Sequence, residues 1–151
     1  MNPSTEHDRI QHNVSGEHPP FPTLKVVAKY SRNAQNGLDR VKQIMEIVSK
    51  QDARQWPSDS EWQTLLPRWF VEPFQQHDLQ DILADDSERL WDYGSWLDGM
   101  RRRGWEWWSS LPPMDDKWEG VLAVFDVPYG IGPFEYLVFA SGATQVEVTE
   151  V

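Results

Sequence analysis

The chain has 151 residues and a mass of 17.6 kDa, a length that suits one domain with its own hydrophobic core. It contains no cysteine, which excludes disulfides, thiol nucleophiles and cysteine-ligated metals. Its 14 Lys+Arg and 24 Asp+Glu give a net charge of -10, which argues against a nucleic-acid partner because phosphate binding needs a cationic surface. The sequence shows neither a membrane span nor a signal peptide, so it predicts a cytoplasmic protein without membrane contact.

The first 23 residues have the composition of a mobile tail. They contain four prolines and few large apolar side chains, too few to offset the entropy of ordering. His7, His12 and His18 are spaced by five and six residues, which matches no common metal-ligand pattern. We therefore expect a mobile tail over residues 1–23 and a single domain over residues 24–151.

Residues 24–76 contain the sequence patterns of one strand followed by two helices. A valine-rich run predicts a strand over Leu24–Tyr30, and apolar residues at helical spacing predict a helix from Asn36 to about Lys50. Ser58 and Glu61 form a capping-box pattern at the start of the next helix. Pro67 is expected to break or kink that helix.

The next segment is acidic and helical in pattern. Asp78 is placed to cap a brief helix, and Asp85 to begin a longer one that runs to about Arg103 and stops at Gly104. Four apolar residues share one face of that longer helix: Leu90, Tyr93, Leu97 and Met100. At 100° per residue, Trp91 lies roughly 150° from this face and is predicted to point away from the core.

After Gly104 the apolar period changes from about 3.6 to 2, which marks the entry into sheet. Three strands are predicted: Trp105–Ser109, Gly120–Val127 and Thr144–Glu150. A short helix after Pro133 joins the last two, compatible with a parallel crossover or an antiparallel return. The whole pattern predicts an α+β fold, with helices mainly in the first two thirds and a small mixed sheet of three to four strands near the C-terminus.

Motifs for enzymatic chemistry are missing from the sequence. It has no phosphate-binding loop, dinucleotide fingerprint, zinc-protease motif or nucleophile elbow. Adjacent carboxylates occur at Asp85–Asp86 and Asp115–Asp116, but neighbours on a helix point about 100° apart and do not share an ion. We therefore predict no enzymatic activity, no metal and no cofactor. A small metal-dependent hydrolase that gathers aspartates from separate segments stays open as an alternative.

The charge of the second half points to a partner instead. Residues 1–75 hold nine Lys+Arg and nine Asp+Glu, whereas residues 76–151 hold five and fifteen. A focused negative potential steers cationic proteins, and an outward tryptophan can anchor them. An acidic solvated face with Trp91 covered by a neighbouring segment is the other interpretation. The predicted partner-binding residues are Asp78, Asp81, Asp85, Asp86, Glu88, Trp91, Asp92, Asp98, Asp115, Asp116 and Glu119.

The run Arg101–Arg103 lies beside Trp105, Trp107 and Trp108, a combination that occurs in proteins that bind single-stranded nucleic acid. Three positive charges make a small footprint, however. Arginines at a helix end interact favourably with the helix dipole and pair with local aspartates. We expect Trp105 and Trp107 on one strand face in the core and Trp108 on the opposite face, open to cover by a helix.

Three stretches carry a resemblance to a known class: Trp96–Met100, Arg103–Trp108 and Gly120–Val127. With the small size, acidity and aromatic content, they resemble the immunity proteins that bacteria encode beside polymorphic toxins of contact-dependent or type VI systems. The resemblance implies an acidic inhibitor that covers the active or substrate-binding surface of a basic, nuclease-like toxin, and it assigns no site residues. An adaptor or assembly subunit whose partner orders the tail is a further alternative, and the oligomeric state is left open.

Overall fold

A computed structural model describes residues 5–12, 19, 21–76, 79–84 and 91–151. Within these residues it contains seven α-helices, four β-strands and two short 3₁₀ segments, Ala53–Gln55 and Glu72–Gln76. The α-helices and strands, in chain order, are α1 Glu6–His12, β1 Thr23–Lys29, α2 Ala34–Ser49, α3 Asp59–Leu65, α4 Arg68–Val71, α5 Leu79–Leu83, α6 Tyr93–Arg101, β2 Trp105–Ser110, β3 Lys117–Val124, α7 Gly132–Ala140 and β4 Gln145–Glu150. No described helix combines the length and apolar character needed to cross a membrane.

The four strands form one sheet in the order β2-β3-β1-β4. The three strand pairs are all antiparallel, with Val26 of β1 opposite Gly120 of β3 on one side and Val148 of β4 on the other. The α+β fold is confirmed, but the sheet is not mixed. Strands β3 and β4 do run in the same direction, as a crossover through α7 permits, yet β1 lies between them and pairs with both.

The core lies on one face of this sheet. In β1 the side chains of Leu24, Val26 and Ala28 are buried, whereas Lys25 and Lys29 are exposed, as expected for a strand with one covered face. Much of the core is aromatic. Five of the nine tryptophans are among the largest fully buried side chains: Trp62, Trp96, Trp105, Trp107 and Trp118. The high tryptophan content therefore serves packing first.

The predicted limits of α3 agree with the structure, whereas the residue that caps α2 differs from the predicted helix start. The capping box of Ser58 and Glu61 starts α3, and the chain breaks at Pro67 between α3 and α4. Helix α2 is capped by Asn33 and not by Asn36. Asn33 adopts a left-handed conformation (φ 54°), and its side chain accepts a hydrogen bond from the Asn36 N–H at 3.3 Å. Asparagine tolerates this conformation better than most residues.

Helix α7 is framed by a proline and a glycine, as the sequence predicts. Pro133 lies in its first turn, and Gly142 follows its end with a φ of 111°. The indole N–H of Trp96 in α6 donates to the Pro133 carbonyl at 2.9 Å. At the other end, the Ser141 hydroxyl is 2.8 Å from the Tyr30 hydroxyl. Helix α7 therefore spans the distance between α6 and the segment that follows β1.

The start of the chain departs from the expected mobile tail. Residues Glu6–His12 form α1, in which Arg9 and Ile10 are buried. Helix α1 packs against β2 and α2, and the His7 Nδ1 lies 3.2 Å from the Ser49 hydroxyl. Composition predicted a tail because it counts apolar residues, whereas α1 is held largely by charged side chains, described below.

Candidate partner-binding cleft

The described members of the predicted partner-binding set lie on three parts of the fold. Four of them, Asp78, Asp85, Asp86 and Glu88, lie outside the described residues. Trp91, Asp92 and Asp98 lie at α6, and Asp81 is exposed on α5. The remaining three, Asp115, Asp116 and Glu119, lie at or next to the turn between β2 and β3.

Helix α7 separates the group at α6 from the group at the turn. Its first turn touches α6, since a Cβ on Gly99 would lie 2.6 Å from the Pro133 side chain. Its far end meets Tyr30, whose backbone N–H donates to the Asp116 carbonyl at 2.7 Å. Nine helical residues span about 13 Å, so the length of α7 lies between the two acidic groups.

A cleft of about 200 Å³ opens between α6 and the chain that leads into α3. We call it the α6 cleft. Its lining residues are Trp56, Pro57, Asp59, Gly94, Leu97, Asp98 and Arg101. Trp56 is half-buried and packs on the fully buried Trp62 with ring centroids 4.9 Å apart. Part of the Trp56 ring is thus held rigidly against the core, which is what a binding anchor requires.

Asp59 and Asp98 supply the negative charge of the α6 cleft. A Cβ on Gly94 would lie 3.3 Å from the Asp59 Oδ2, so the glycine lets this carboxylate come close to α6. Asp59 also lies in the first turn of α3, where the helix dipole favours a negative charge. Asp98 pairs with Arg102 at 3.2 Å, but both side chains are well exposed, at 55% and 78%. Exposed pairs of this kind contribute about 0–1 kcal/mol, so little free energy holds Arg102 to Asp98.

Tyr93 and Arg101 fix the walls of the α6 cleft. The Tyr93 hydroxyl donates to the Asp59 backbone carbonyl at 3.2 Å. Burial, with a smaller contribution from the Asp59 charge, raises the pKa of Tyr93 to about 12, so the phenol stays neutral and keeps its donor. Arg101 donates from Nε to the Ala53 carbonyl at 3.0 Å, which ties the end of α6 to the 3₁₀ segment before the cleft.

The prediction that Trp91 points away from the core was wrong. Helix α6 begins at Tyr93, and Asp92 is its N-cap, with the Asp92 Oδ2 accepting the Ser95 N–H at 3.1 Å. Trp91 therefore precedes the helix, and the helical phase used to orient it does not apply. Its ring is partly buried, packs against the core and lies 2.8 Å from where a Cβ on Gly132 would be.

The backbone of the acidic turn between β2 and β3 forms hydrogen bonds that hold the turn to the segment after β1. The Asp115 carbonyl accepts the Ala34 N–H at 2.9 Å, and the Asp116 carbonyl accepts the Tyr30 N–H. Both aspartate residues are exposed. Glu119 points to the open face of the sheet and lies 3.7 Å from the Lys25 Nζ. This group is therefore acidic and accessible, but it has no aromatic anchor like that of the α6 cleft.

The run Arg101–Arg103 divides among three contacts. Arg101 bonds the Ala53 carbonyl, Arg102 pairs with Asp98 one turn earlier, and Arg103 pairs with Glu6 of α1. Within the described part of the chain, no group of three or more His, Asp or Glu side chains lies close enough to hold a metal ion.

Sequence reasoning missed Trp56, Pro57 and Asp59 as site residues. They are about 40 positions before Asp98, and only the fold brings them to α6. The available signal was the Trp56–Pro57 dipeptide immediately before a helix cap, a place where an aromatic side chain lies near the surface. Comparison with known proteins finds no match to this chain among family models, curated proteins or solved structures.

Proposed function

We propose that this protein is a non-enzymatic inhibitor that binds a cationic protein through the α6 cleft. One observation carries the proposal: the cleft places a half-buried tryptophan, Trp56, beside two carboxylates, Asp59 and Asp98. Tryptophan is enriched among binding hot spots, and carboxylates beside it speed association with a cationic partner. The net charge of -10 adds long-range attraction for a basic partner.

The cleft has the size and chemistry to accept a lysine or arginine side chain. The aliphatic stem packs against Trp56 and Leu97, and the charged end meets Asp59 and Asp98. The resemblance to immunity proteins makes a basic, nuclease-like toxin our proposed partner. The carboxylates then take the place of substrate phosphates on the toxin, and inhibition is stoichiometric because it acts by covering the surface.

The first experiment is capture of the tagged protein's partner from native lysate at low and high salt, with identification by mass spectrometry. We expect one basic protein, released by salt because screening shortens the range of the attraction. Purified partner is then assayed for nuclease activity, which should fall to zero at a 1:1 ratio. An acidic partner, or a nuclease that stays active in the complex, would contradict the proposal.

A charge-reversal pair locates the surface. Asp98→Lys changes a carboxylate of the cleft, and Glu147→Lys makes the same change of net charge on the exposed face of β4. We expect Asp98→Lys to slow association at least about tenfold and Glu147→Lys to have a much smaller effect. Equal slowing by both variants would show that net charge alone drives binding and that the cleft is not the site.

A further inference from the structure

Side chains of α1 form hydrogen bonds with the backbone of β2, an edge strand of the sheet, in place of a neighbouring strand. Strand β2 is at one end of the strand order, and its backbone N–H and C=O at Trp107 both point toward α1. The Glu6 Oε2 accepts the Trp107 N–H at 2.7 Å, and the Arg9 Nε donates to the Trp107 carbonyl at 3.1 Å. In an antiparallel pair, one residue of a neighbouring strand makes both of these bonds.

Two ion pairs fix these side chains. Arg103 forms two hydrogen bonds of 2.6 Å with the Glu6 carboxylate, and Arg9 lies 2.6 Å from Glu106. The Glu6, Arg103 and Arg9 side chains are only 10%, 14% and 3% exposed. The Arg9 guanidinium also lies 4.2 Å from the Trp108 ring centroid. We call Glu6, Arg9, Arg103 and Glu106 the edge clamp.

Apart from the edge clamp, α1 has one main anchor, the buried side chain of Ile10. Its seven residues are well below the roughly 12 to 15 that a helix needs to be stable alone. Its contacts with α2 include those of His7 with Ser49 and of Gln11 with Glu46, each at 3.2 Å. Loss of the clamp or of the Ile10 anchor should therefore release α1 and uncover β2.

We propose that the β2 edge is a strand-addition site for an extended segment of a partner protein, and that α1 is its built-in cover. The residue of that segment opposite Trp107 supplies the acceptor and the donor that Glu6 and Arg9 now supply. Arg103 and Glu106 keep their charges when α1 leaves. The segment must therefore bring a carboxylate to Arg103 and a basic side chain to Glu106, because both charges are covered again on binding.

A second copy of the chain fits this edge less well. Antiparallel pairing centred on Trp107 would bring Glu106 near Trp108 of the other copy, where the register of β2 is irregular, and Arg103 near Leu111, beyond the end of β2. Neither position supplies an opposite charge. The charge pattern thus favours a partner segment with both an acidic and a basic residue. This surface is distinct from the α6 cleft and does not depend on the proposed function.

The test uses the full chain and a defined peptide. The probe is an acetylated, amidated octapeptide of alternating Val and Thr in which one residue is Glu and one is Arg, and its control has Gln at both places. Glu6→Ala/Arg9→Ala removes the clamp, Ile10→Asp releases α1 while keeping Glu6 and Arg9, and Gln11→Ala is the control on the exposed side of α1. Circular dichroism checks that each variant is folded.

We expect both release variants to bind the charged peptide at least about tenfold more tightly than wild type and Gln11→Ala do, with weaker binding of the Gln peptide. Hydrogen exchange should show unprotected α1 amides and a Trp107 amide that regains protection with peptide. Equal binding by all four proteins, or no binding to either release variant at about 1 mM peptide, would overturn the proposal. Dimers of the release variants without peptide would also overturn it, in favour of a second copy.

Discussion

Arg102 and Arg103 are neighbours in the sequence, yet they belong to two different electrostatic regions. Arg103 is in the edge clamp, with a side chain only 14% exposed and bonded twice to Glu6 at 2.6 Å, whereas Arg102 is exposed and pairs with Asp98 at 3.2 Å beside the α6 cleft. Breaking a buried pair leaves a charge without water or partner, while an exposed pair exchanges one partner for another. Burial therefore decides which charges hold the fold and which are available for binding.

The largest expected effect comes from replacing the two arginines in turn. Arg103→Ala should lower the free energy of unfolding by about 2 kcal/mol, less than the roughly 3–5 kcal/mol for a fully buried pair because α1 can carry Glu6 back into water. Arg102→Ala should cost under about 0.5 kcal/mol. Urea unfolding of both variants measures the difference. Equal losses would show that the clamp is no stronger than a surface pair.

Asp92 and Asp98 of α6 show the same contrast between a residue that holds the fold and one that is available for binding, with a smaller difference in stability. Asp92→Ala removes the N-cap of α6 and should cost about 1 kcal/mol, whereas Asp98→Ala should leave stability almost unchanged. For association with a cationic partner the order should reverse, because Asp98 lines the cleft. Thermal unfolding compares the stabilities of the two variants, and association rates with the partner compare their binding. A stability loss at Asp98 as large as that at Asp92 would remove the distinction.

Local patterns predicted much of the fold because they reflect local causes. The period-2 pattern after Gly104 placed Trp105 and Trp107 in the core, where the structure has them. Trp108 lies where the register between β2 and β3 is irregular, with the Arg9 guanidinium 4.2 Å from its ring centroid. The capping box and Pro67 gave the limits of α3. In each case the signal and the structure it determines lie within a few residues.

Several features that the sequence did not predict depend on contacts between residues far apart in the chain. Glu6 and Arg103 are 97 residues apart, so no local pattern could show that the predicted tail supplies one partner of a part-buried ion pair. Asp98 was predicted at the site from its acidic neighbours, but Trp56 and Asp59 join it only through the packing of α6. Trp91 was misplaced because a helical period was extended across Asp92, a residue whose side chain starts the helix.

The smallest effect concerns the phenol of Tyr93, which donates to the Asp59 backbone carbonyl beside the α6 cleft. Burial and, secondarily, the Asp59 charge raise the pKa of Tyr93 to about 12, and burial raises the pKa of Tyr136 to about 12. Both pKa values lie above the usual 10, so the two neutral phenols make their full contribution to folding stability below pH 10. This contribution is lost as the pH rises from 10 through 12. Phenolate absorbance of wild type, Tyr93→Phe and Tyr136→Phe assigns the two titrations.

Asp59→Asn then separates the two causes at Tyr93. Since burial is the larger one, we expect the pKa of Tyr93 to fall only slightly in this variant and that of Tyr136 to stay unchanged. A fall of the Tyr93 pKa to near 10 would mean that the carboxylate and not burial controls the phenol. The Asp59 charge would then be only weakly screened by solvent, like the charges of the edge clamp, and the contrast between the two regions would narrow.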